Sequence, residues 1–326
     1  MQDVAQAVGV STMTVSRALR QSSHVEPQLR QRIQATAQAM GYVPDPAARA
    51  LASQKSTQVL VLLPSLANPR LAQLLEALHA VLYPAGYHTL IGITHDDSTH
   101  LHQLLQSYLP LRPAGLLLTG EIQHPQTRQL LASHPTPCVQ MLAPPPCPDI
   151  PCVGFSPAAA GAAMTSHLLA QGRRRIAFAA SQHHAHRMPL EQGWRHTLQA
   201  AGLYQAALAL QHPAPASPDV GAQLLHTALA QAPDIDAIFF SDDLLAQGAC
   251  LEALRMGIPI PGRLAIAGCH DLPGSAQMVP PLTTLRTPGA EIGSASAHML
   301  LQLLRGEVPT PLQQDLGYEL VVRAST

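Results

Sequence analysis

The feature that most constrains the fold is an alternation of short apolar runs with longer helix-like segments, which begins at residue 59. The runs have the length of buried strands, and the segments between them carry apolar residues at helical spacing. Strands are predicted at 59–63, 90–93, 115–118, 138–142, 176–180, 237–240 and 264–267. Helices are predicted at 70–85, 99–109, 158–171, 190–201, 220–230 and 244–256, and proline-rich loops at 144–151 and 213–218. The alternation predicts an α/β fold of parallel sheets flanked by helices, with ligands bound at the carboxyl ends of strands.

The size and composition of the chain limit its class. A length of 326 residues allows two to three domains, and a hydrophobic content of 47% is enough for a substantial core. No apolar run approaches the roughly 18 residues that a membrane span requires. The chain opens without the features of a signal peptide, so we expect a cytoplasmic protein. The five cysteines lack metal-ligand spacing, and their odd number favours reduced thiols.

Charge is distributed unevenly, although the chain as a whole carries −1. Residues 1–56 hold six basic and three acidic side chains, a net charge of +3, and the remainder holds 13 basic and 17 acidic side chains, a net charge of −4. A small basic head on a mildly acidic body is typical of a modular DNA-binding protein.

Residues 1–20 are predicted to form two short helices joined by a tight turn. Gly9 supplies the positive φ of the turn, and Ser11 is the predicted N-cap of the second helix. Apolar residues that allow the helices to pack together are Ala5, Val8, Val10, Val15 and Leu19. Side chains of the second helix that suit base edges and phosphates are Thr12, Met13, Thr14, Ser16, Arg17 and Arg20. The spacing alone also fits an ordinary amphipathic helical hairpin.

A third helix is predicted between Pro27, which suits a first helical turn, and Gly41, which ends the pattern. Its apolar stripe consists of Leu29, Ile33, Ala37 and Met40. Prolines stiffen residues 42–46, and the alanine-rich residues 47–53 that follow are potentially helical.

The strings DVA (3–5), GVS (9–11) and TVSR (14–17) resemble the headpiece of the lactose/galactose repressor family of bacterial transcription regulators. The resemblance implies that Thr12, Met13 and Arg17 read the DNA major groove and that His24 contacts the phosphate backbone. In the family a capping threonine usually precedes the Asp, whereas only Met1 and Gln2 do so here. This departure predicts either a shortened start or a first helix that frays.

The resemblance extends to the linker and to the rest of the chain. It implies a helix-turn-helix headpiece at 1–44, a hinge helix at 45–57 that inserts Leu51 into the minor groove, and a core at 58–326 that binds an effector and dimerises. The core strings VLVLLPSLANP (59–69), AIFFSDDLLAQGA (237–249) and LAIAGCHD (264–271) resemble a periplasmic-binding-protein-like domain. Such a core has two lobes, here about 59–155 with 287–315 and about 156–286 with 316–326, and binds its ligand between them.

The same resemblance assigns candidate effector-binding residues at strand ends. They are Asn68, Arg70, Leu71, Phe155, Arg187, Asp242 and His270. The strings LLPSLxN, DDLLAQGA and AIAGxH are similar to the gluconate-utilisation repressors of the family, in which a histidine replaces the usual Asp at the position of His270. That replacement removes a negative charge and favours an acidic sugar, whose carboxylate Arg70 or Arg187 would bind in a bidentate contact. A departure is Leu190, which stands where the family usually has a basic ligand-binding residue.

Two other readings compete with this interpretation. The histidines at 183–186 could bind a metal, but without supporting Cys or carboxylate spacing a surface loop is the better interpretation, so no metal or cofactor is expected. An α/β enzyme is the alternative function, with Asp242 and Asp243 as its candidate carboxylates. The sequence contains no phosphate-binding loop, dinucleotide fingerprint or nucleophile elbow. An exported sugar-binding protein would lack the DNA-binding head.

The sequence therefore predicts a transcription regulator, most simply a repressor, and not an enzyme. As a homodimer it would bind a pseudo-palindromic operator DNA, and a small sugar or sugar acid would control that binding. No further heptad helix follows residue 326, so a dimer is expected rather than a tetramer.

Overall fold

The computed structural model describes residues 1–19, 25–42, 56–120, 122, 124–142, 150–181 and 187–326. The chain divides into two compact units, Met1–Ser56 and Thr57–Thr326. Arg20, His24 and Leu51, three of the predicted DNA-binding residues, lie outside the described residues, as do the histidines at 183–186.

The first unit contains three helices, α1 (Gln2–Val8), α2 (Thr12–Leu19) and α3 (Pro27–Ala39). Their small apolar core consists of Val4, Ala5, Val8, Val15, Ala18, Val25, Ile33 and Ala37. Gly9 ends α1 in the left-handed conformation with a φ of 75°, and the backbone N–H of Thr14 donates to Ser11 Oγ over 3.1 Å. Both features of the predicted turn are confirmed. Met1 is the N-cap of α1 and makes no side-chain capping hydrogen bond.

The second unit contains two six-stranded sheets. The first has the order β11-β5-β4-β3-β1-β2 and the second the order β12-β10-β9-β8-β6-β7. All neighbouring strands are parallel except β10 and β12. The first sheet is formed by β1 (Gln58–Leu63), β2 (His88–Ile93), β3 (Gly115–Thr119), β4 (Cys138–Leu142), β5 (Cys152–Gly154) and β11 (Gln313–Asp315). The second is formed by β6 (Ile176–Ser181), β7 (Ala209–His212), β8 (Ala237–Phe240), β9 (Ala265–Cys269), β10 (Thr283–Arg286) and β12 (Glu319–Val321).

Helices cover both sheets, and each sheet with its helices is called a lobe below. The first lobe carries α4 (Pro69–Leu82), α5 (Ser98–Tyr108), α6 (Pro125–Ser133) and α11 (Gly289–Leu304). The second carries α7 (Pro157–Ala170), α8 (Arg187–Ala200), α9 (Pro218–Gln231) and α10 (Asp243–Arg255). The chain passes between the lobes after β5, after β10 and after β11. Central strands such as β3 and β6 are buried along their whole length, as expected of a parallel sheet covered on both faces.

The predicted α/β class and the predicted strands and helices of the core are confirmed to within a few residues at their ends. The sequence pattern did not predict the short strands β5, β7, β10, β11 and β12 or the helices α6 and α11. One boundary was wrong, because Pro218 is not part of a loop but occupies the first turn of α9, after Ser217, whose hydroxyl accepts from the Val220 N–H. Within the described part of the chain, no helix combines the length and apolarity of a membrane span.

Candidate DNA-binding surface and effector site

Helix α2 presents an outward face of polar and flexible side chains. Thr12, Met13 and Arg17 are exposed, whereas Thr14 and Ser16 are half-buried. The opposite face, with Val15 and Ala18, is fully buried. Burial of one face on α1 and α3 fixes the direction of the other, so α2 has the form of a recognition helix.

A cavity of about 150 Å³ lies between the lobes, at the carboxyl ends of the strands. The first lobe contributes Pro64, Ser65, Ala67, Asn68, Arg70, Leu71, His95, Asp96, Thr119 and Leu142, and the second contributes Pro215, Ala216, Asp242 and Leu244. The cavity therefore combines four of the predicted effector-binding residues, namely Asn68, Arg70, Leu71 and Asp242.

Arg70 is the unusual member of this set. Its residue surface is only 5% exposed, and its Nε and Nη1 atoms find no hydrogen-bond partner among the described residues. Burial lowers the pKa of the guanidinium, and the nearby Cys269, Asp242 and Asp96 side chains act against that shift. A buried cation with unused N–H groups beside a cavity can donate to an acceptor that carries negative charge.

Asp242 and Asn68 connect the two lobes across the cavity. Asn68 Nδ2 donates to Asp242 Oδ2 over 3.0 Å, and the Leu244 N–H donates to Asp242 Oδ1 over 2.8 Å. Burial raises the pKa of Asp242 to about 6, although the Leu244 N–H, the charge of Arg70 and the Asn68 amide all favour its ionised form. Asp242 is thus a hydrogen-bond acceptor that both lobes hold in place.

The adjacent carboxylate, Asp243, has a separate and structural set of partners. It accepts from the hydroxyls of Thr284 and Ser275 over 2.6 and 2.7 Å and from the Leu272 N–H over 2.8 Å. Burial raises its pKa to about 7. A Cβ atom at Gly268 would lie 2.1 Å from Asp243 Oδ1, so only glycine at that position leaves room for the carboxylate. The two carboxylates do not converge on one point, which argues against a catalytic pair.

Replacement of Asp243 by Ala is expected to lower the free energy of unfolding by about 2–3 kcal/mol, because three buried donors would lose their acceptor. Asp243→Asn, which keeps one acceptor oxygen, should cost less. Urea unfolding monitored by the fluorescence of Trp194, the single tryptophan, measures both changes. Equal stability of Asp243→Ala and the unsubstituted protein would show that these hydrogen bonds contribute nothing.

Two of the remaining predicted effector residues, Phe155 and His270, are not among the described residues that line the cavity. Phe155 is fully buried. His270 is 4% exposed, and its Nδ1 lies 3.1 Å from Thr287 Oγ1, at the passage from β10 to α11. Arg187 begins α8, and its side chain lies outside the described part of the structure. A role of these three residues in effector binding stays a prediction.

Several residues that line the cavity were not predicted from the sequence, among them His95, Asp96, Thr119, Leu142, Pro215 and Ala216. Thr119 and Leu142 are the last residues of β3 and β4. The rule that ligands lie at the carboxyl ends of parallel strands was therefore a signal that could have found them.

Comparisons with known proteins agree with this geometry. Residues 1–45 match the model of the bacterial regulatory proteins of the lacI family, and residues 165–326 match that of a periplasmic binding protein-like domain. The HTH-type transcriptional regulator GntR of Pseudomonas aeruginosa is 43% identical over 326 residues, which cover 100% of this chain and 95% of the relative.

Two solved structures are also similar. The transcription regulator GntR from Chromobacterium violaceum is 44% identical with a TM-score of 0.78, and the match covers 82% of this chain and 98% of that one. A Lacl family transcriptional regulator from Silicibacter pomeroyi is 28% identical with a TM-score of 0.91 over 99% of this chain and 98% of that one. These relatives confirm the predicted class, a transcription regulator, over the alternative of an α/β enzyme. The chain belongs to the lacI family of bacterial regulatory proteins.

Proposed function

We propose that this protein is a dimeric repressor that binds a pseudo-palindromic operator and releases it when a sugar acid such as gluconate occupies the cavity between the lobes. In this proposal residues 1–44 bind DNA, 45–57 form the hinge and 58–326 bind the effector and dimerise. Because its target is DNA, we place the protein in the bacterial cytoplasm. The observation that carries the choice of effector is the buried guanidinium of Arg70.

The charge of Arg70 supports a carboxylate rather than a neutral sugar. Removing a guanidinium from water costs free energy that is recovered only through hydrogen bonds with a negative partner. Two of its nitrogens have no such partner among the described residues. A carboxylate would accept a charge-assisted hydrogen bond from one of them and place its negative charge beside the guanidinium.

The rest of the cavity supports a polyhydroxylated effector. Asp242 offers carboxylate oxygens, Asn68 offers an amide, and Thr119 and Ser65 offer hydroxyls. Leu71, Leu142 and Pro215 supply apolar surface for carbon–hydrogen groups. A few polar groups in an otherwise apolar cleft are typical of small-molecule sites.

The position of the cavity supports the control of DNA binding by the effector. Its walls come from both lobes, and the bond between Asn68 and Asp242 crosses from one to the other. An effector that binds one arrangement of the lobes more tightly than the other shifts the equilibrium between them. Operator affinity then changes by the same coupling free energy.

The proposal is tested with purified protein and three ligands of similar size, namely D-gluconate, D-glucose and sorbitol. Calorimetric titration should show saturable binding of D-gluconate and at least tenfold weaker binding of the neutral compounds. Operator sites selected from random DNA should be released on addition of D-gluconate in a gel-shift assay. Binding restricted to the neutral compounds would refute the sugar-acid effector, and absence of any selected site would refute operator binding.

Replacement of Arg17 by Ala is expected to weaken binding to the selected operator by about 1–3 kcal/mol and to relax base preference at one position. The reason is that an exposed arginine on α2 suits a bidentate contact with a base edge. A gel-shift titration against operators with single base changes measures both effects. Arg174, an exposed residue of the second lobe, provides the matched control, since Arg174→Ala should leave operator affinity unchanged. Full sequence-specific binding by Arg17→Ala would contradict the assignment of α2 as the recognition helix.

A further inference from the structure

The turn that follows β2 places two consecutive residues, His95 and Asp96, in the left-handed region, each with a φ of 55°. Neither is a glycine, although Asp and His enter this region more often than most residues with a side chain. Hydrogen bonds on both sides keep the turn in place. The His95 N–H donates to the Pro64 carbonyl over 3.1 Å, and the Asp97 N–H donates to the Thr94 carbonyl over 3.0 Å.

A third such residue is Leu142, the last residue of β4, which has a φ of 81° and is buried. All three of these residues line the cavity between the lobes. Strained backbone persists where the surrounding structure imposes it, and it concentrates at binding sites. Three of the six described non-glycine residues with a positive φ therefore line this cavity, and the turn holds His95 and Asp96 at its wall.

Asp96 supplies the turn with a carboxylate, which can accept hydrogen bonds from a ligand. Its side chain is exposed and lines the same cavity as Arg70, and its charge lies close enough to act on the guanidinium. Arg70 can only donate hydrogen bonds, whereas an ionised Asp96 can only accept them. Arg70 can therefore donate to a carboxylate of a ligand, and the neighbouring Asp96 can accept from a hydroxyl of the same ligand.

We propose that Asp96 is an effector-binding residue that accepts a hydrogen bond from the hydroxyl on the carbon next to the carboxylate held by Arg70. This inference rests on the proposed sugar-acid effector and narrows it to 2-hydroxy acids. A 2-hydroxy acid carries its carboxylate and one hydroxyl side by side, which matches the pairing of Arg70 with Asp96. An acid without that hydroxyl offers Asp96 no hydrogen-bond donor at that carbon.

The test compares D-gluconate with 2-deoxy-D-gluconate by calorimetric titration of the full-length protein. The unsubstituted protein should prefer D-gluconate by about tenfold or more, as expected for a hydrogen bond to a charged group. Asp96→Asn tolerates the left-handed turn and should lose about tenfold in affinity for D-gluconate and less than twofold for the 2-deoxy acid. Asp96→Gly, which removes the acceptor and suits a positive φ, should also abolish the preference.

Asp97→Asn is the matched control. It removes an equal charge from the same turn. The Asp97 carboxylate accepts hydrogen bonds from the Thr99 and His100 N–H groups at the start of α5, and the side-chain oxygen of asparagine can accept the same bonds. Its affinity for both acids should be unchanged. An equal loss of both acids in Asp96→Asn, or an undiminished preference for D-gluconate in both Asp96 variants, would overturn this inference alone. Failure of the unsubstituted protein to bind either acid would overturn the proposed effector and this inference with it.

Discussion

Replacement of Arg70 by Met is expected to weaken D-gluconate binding by at least about 100-fold while leaving the protein folded. The loss corresponds to removal of the charged partner of a buried carboxylate, which typically costs about 2–5 kcal/mol. Methionine is shorter, unbranched and without hydrogen-bond donors, so it occupies part of the space and leaves no donor of its own unsatisfied. Calorimetric titration of the variant with D-gluconate measures the change.

The same substitution should leave the stability of the effector-free protein nearly unchanged, because removal of a buried guanidinium with unused N–H groups offsets the loss of its charge beside Asp242. A large loss of affinity without a loss of stability distinguishes a binding residue from a structural one. Arg70→Lys, which keeps the charge but loses the planar fork, should retain part of the affinity. Arg174→Met is the control for loss of an arginine at an exposed site. A marked loss of stability with unchanged affinity would contradict the proposed role of Arg70.

Replacement of Gly248 by Ala is expected to lower the free energy of unfolding of the second lobe by about 3 kcal/mol or more. Helices α9 and α10 cross at two glycines. A Cβ atom at Gly248 would lie 1.9 Å from the Pro218 carbonyl oxygen, and one at Gly221 would lie 2.0 Å from the Leu245 carbonyl oxygen. Since both neighbours are backbone atoms, the helices themselves must separate to admit a methyl group.

Urea unfolding monitored by Trp194 fluorescence reports this change, because Trp194 is buried in the same lobe. Gly262→Ala is the matched control, since its added Cβ would meet nothing nearer than the Pro259 Cβ at 3.6 Å. Effector affinity should fall as well, because Pro215, Ala216 and Leu244 line the cavity beside the two helices. A loss of less than 1 kcal/mol would show that the helices separate easily.

The long helices and central strands could be predicted because their signals are local. Burial of β1 and β3 on both faces requires continuous apolar runs, and α4 and α10 carry apolar residues at helical spacing. The short strands β5, β11 and β12, of three residues each, contain too few positions for a pattern. Their conformation depends on pairing with strands that are distant in sequence.

The cavity was only partly predictable. Asn68, Arg70 and Asp242 were predicted from the resemblance to the repressor family, and all three line the cavity. The sequence did not indicate the left-handed turn at His95 and Asp96, because neither glycine nor asparagine marks it. Nor did it indicate that His270 would lie beside Thr287, a residue 17 positions away, rather than in the lining of the cavity.

By itself the sequence determined the two-part organisation of this protein, the exposed face of its recognition helix and the order of its α/β elements, because periodicity and turn residues act over a few positions. The tertiary structure decided where the unused N–H groups of Arg70 lie and which acidic side chains share a cavity with them. These properties depend on the approach of strand ends and helices from two lobes, and no local pattern specifies that approach.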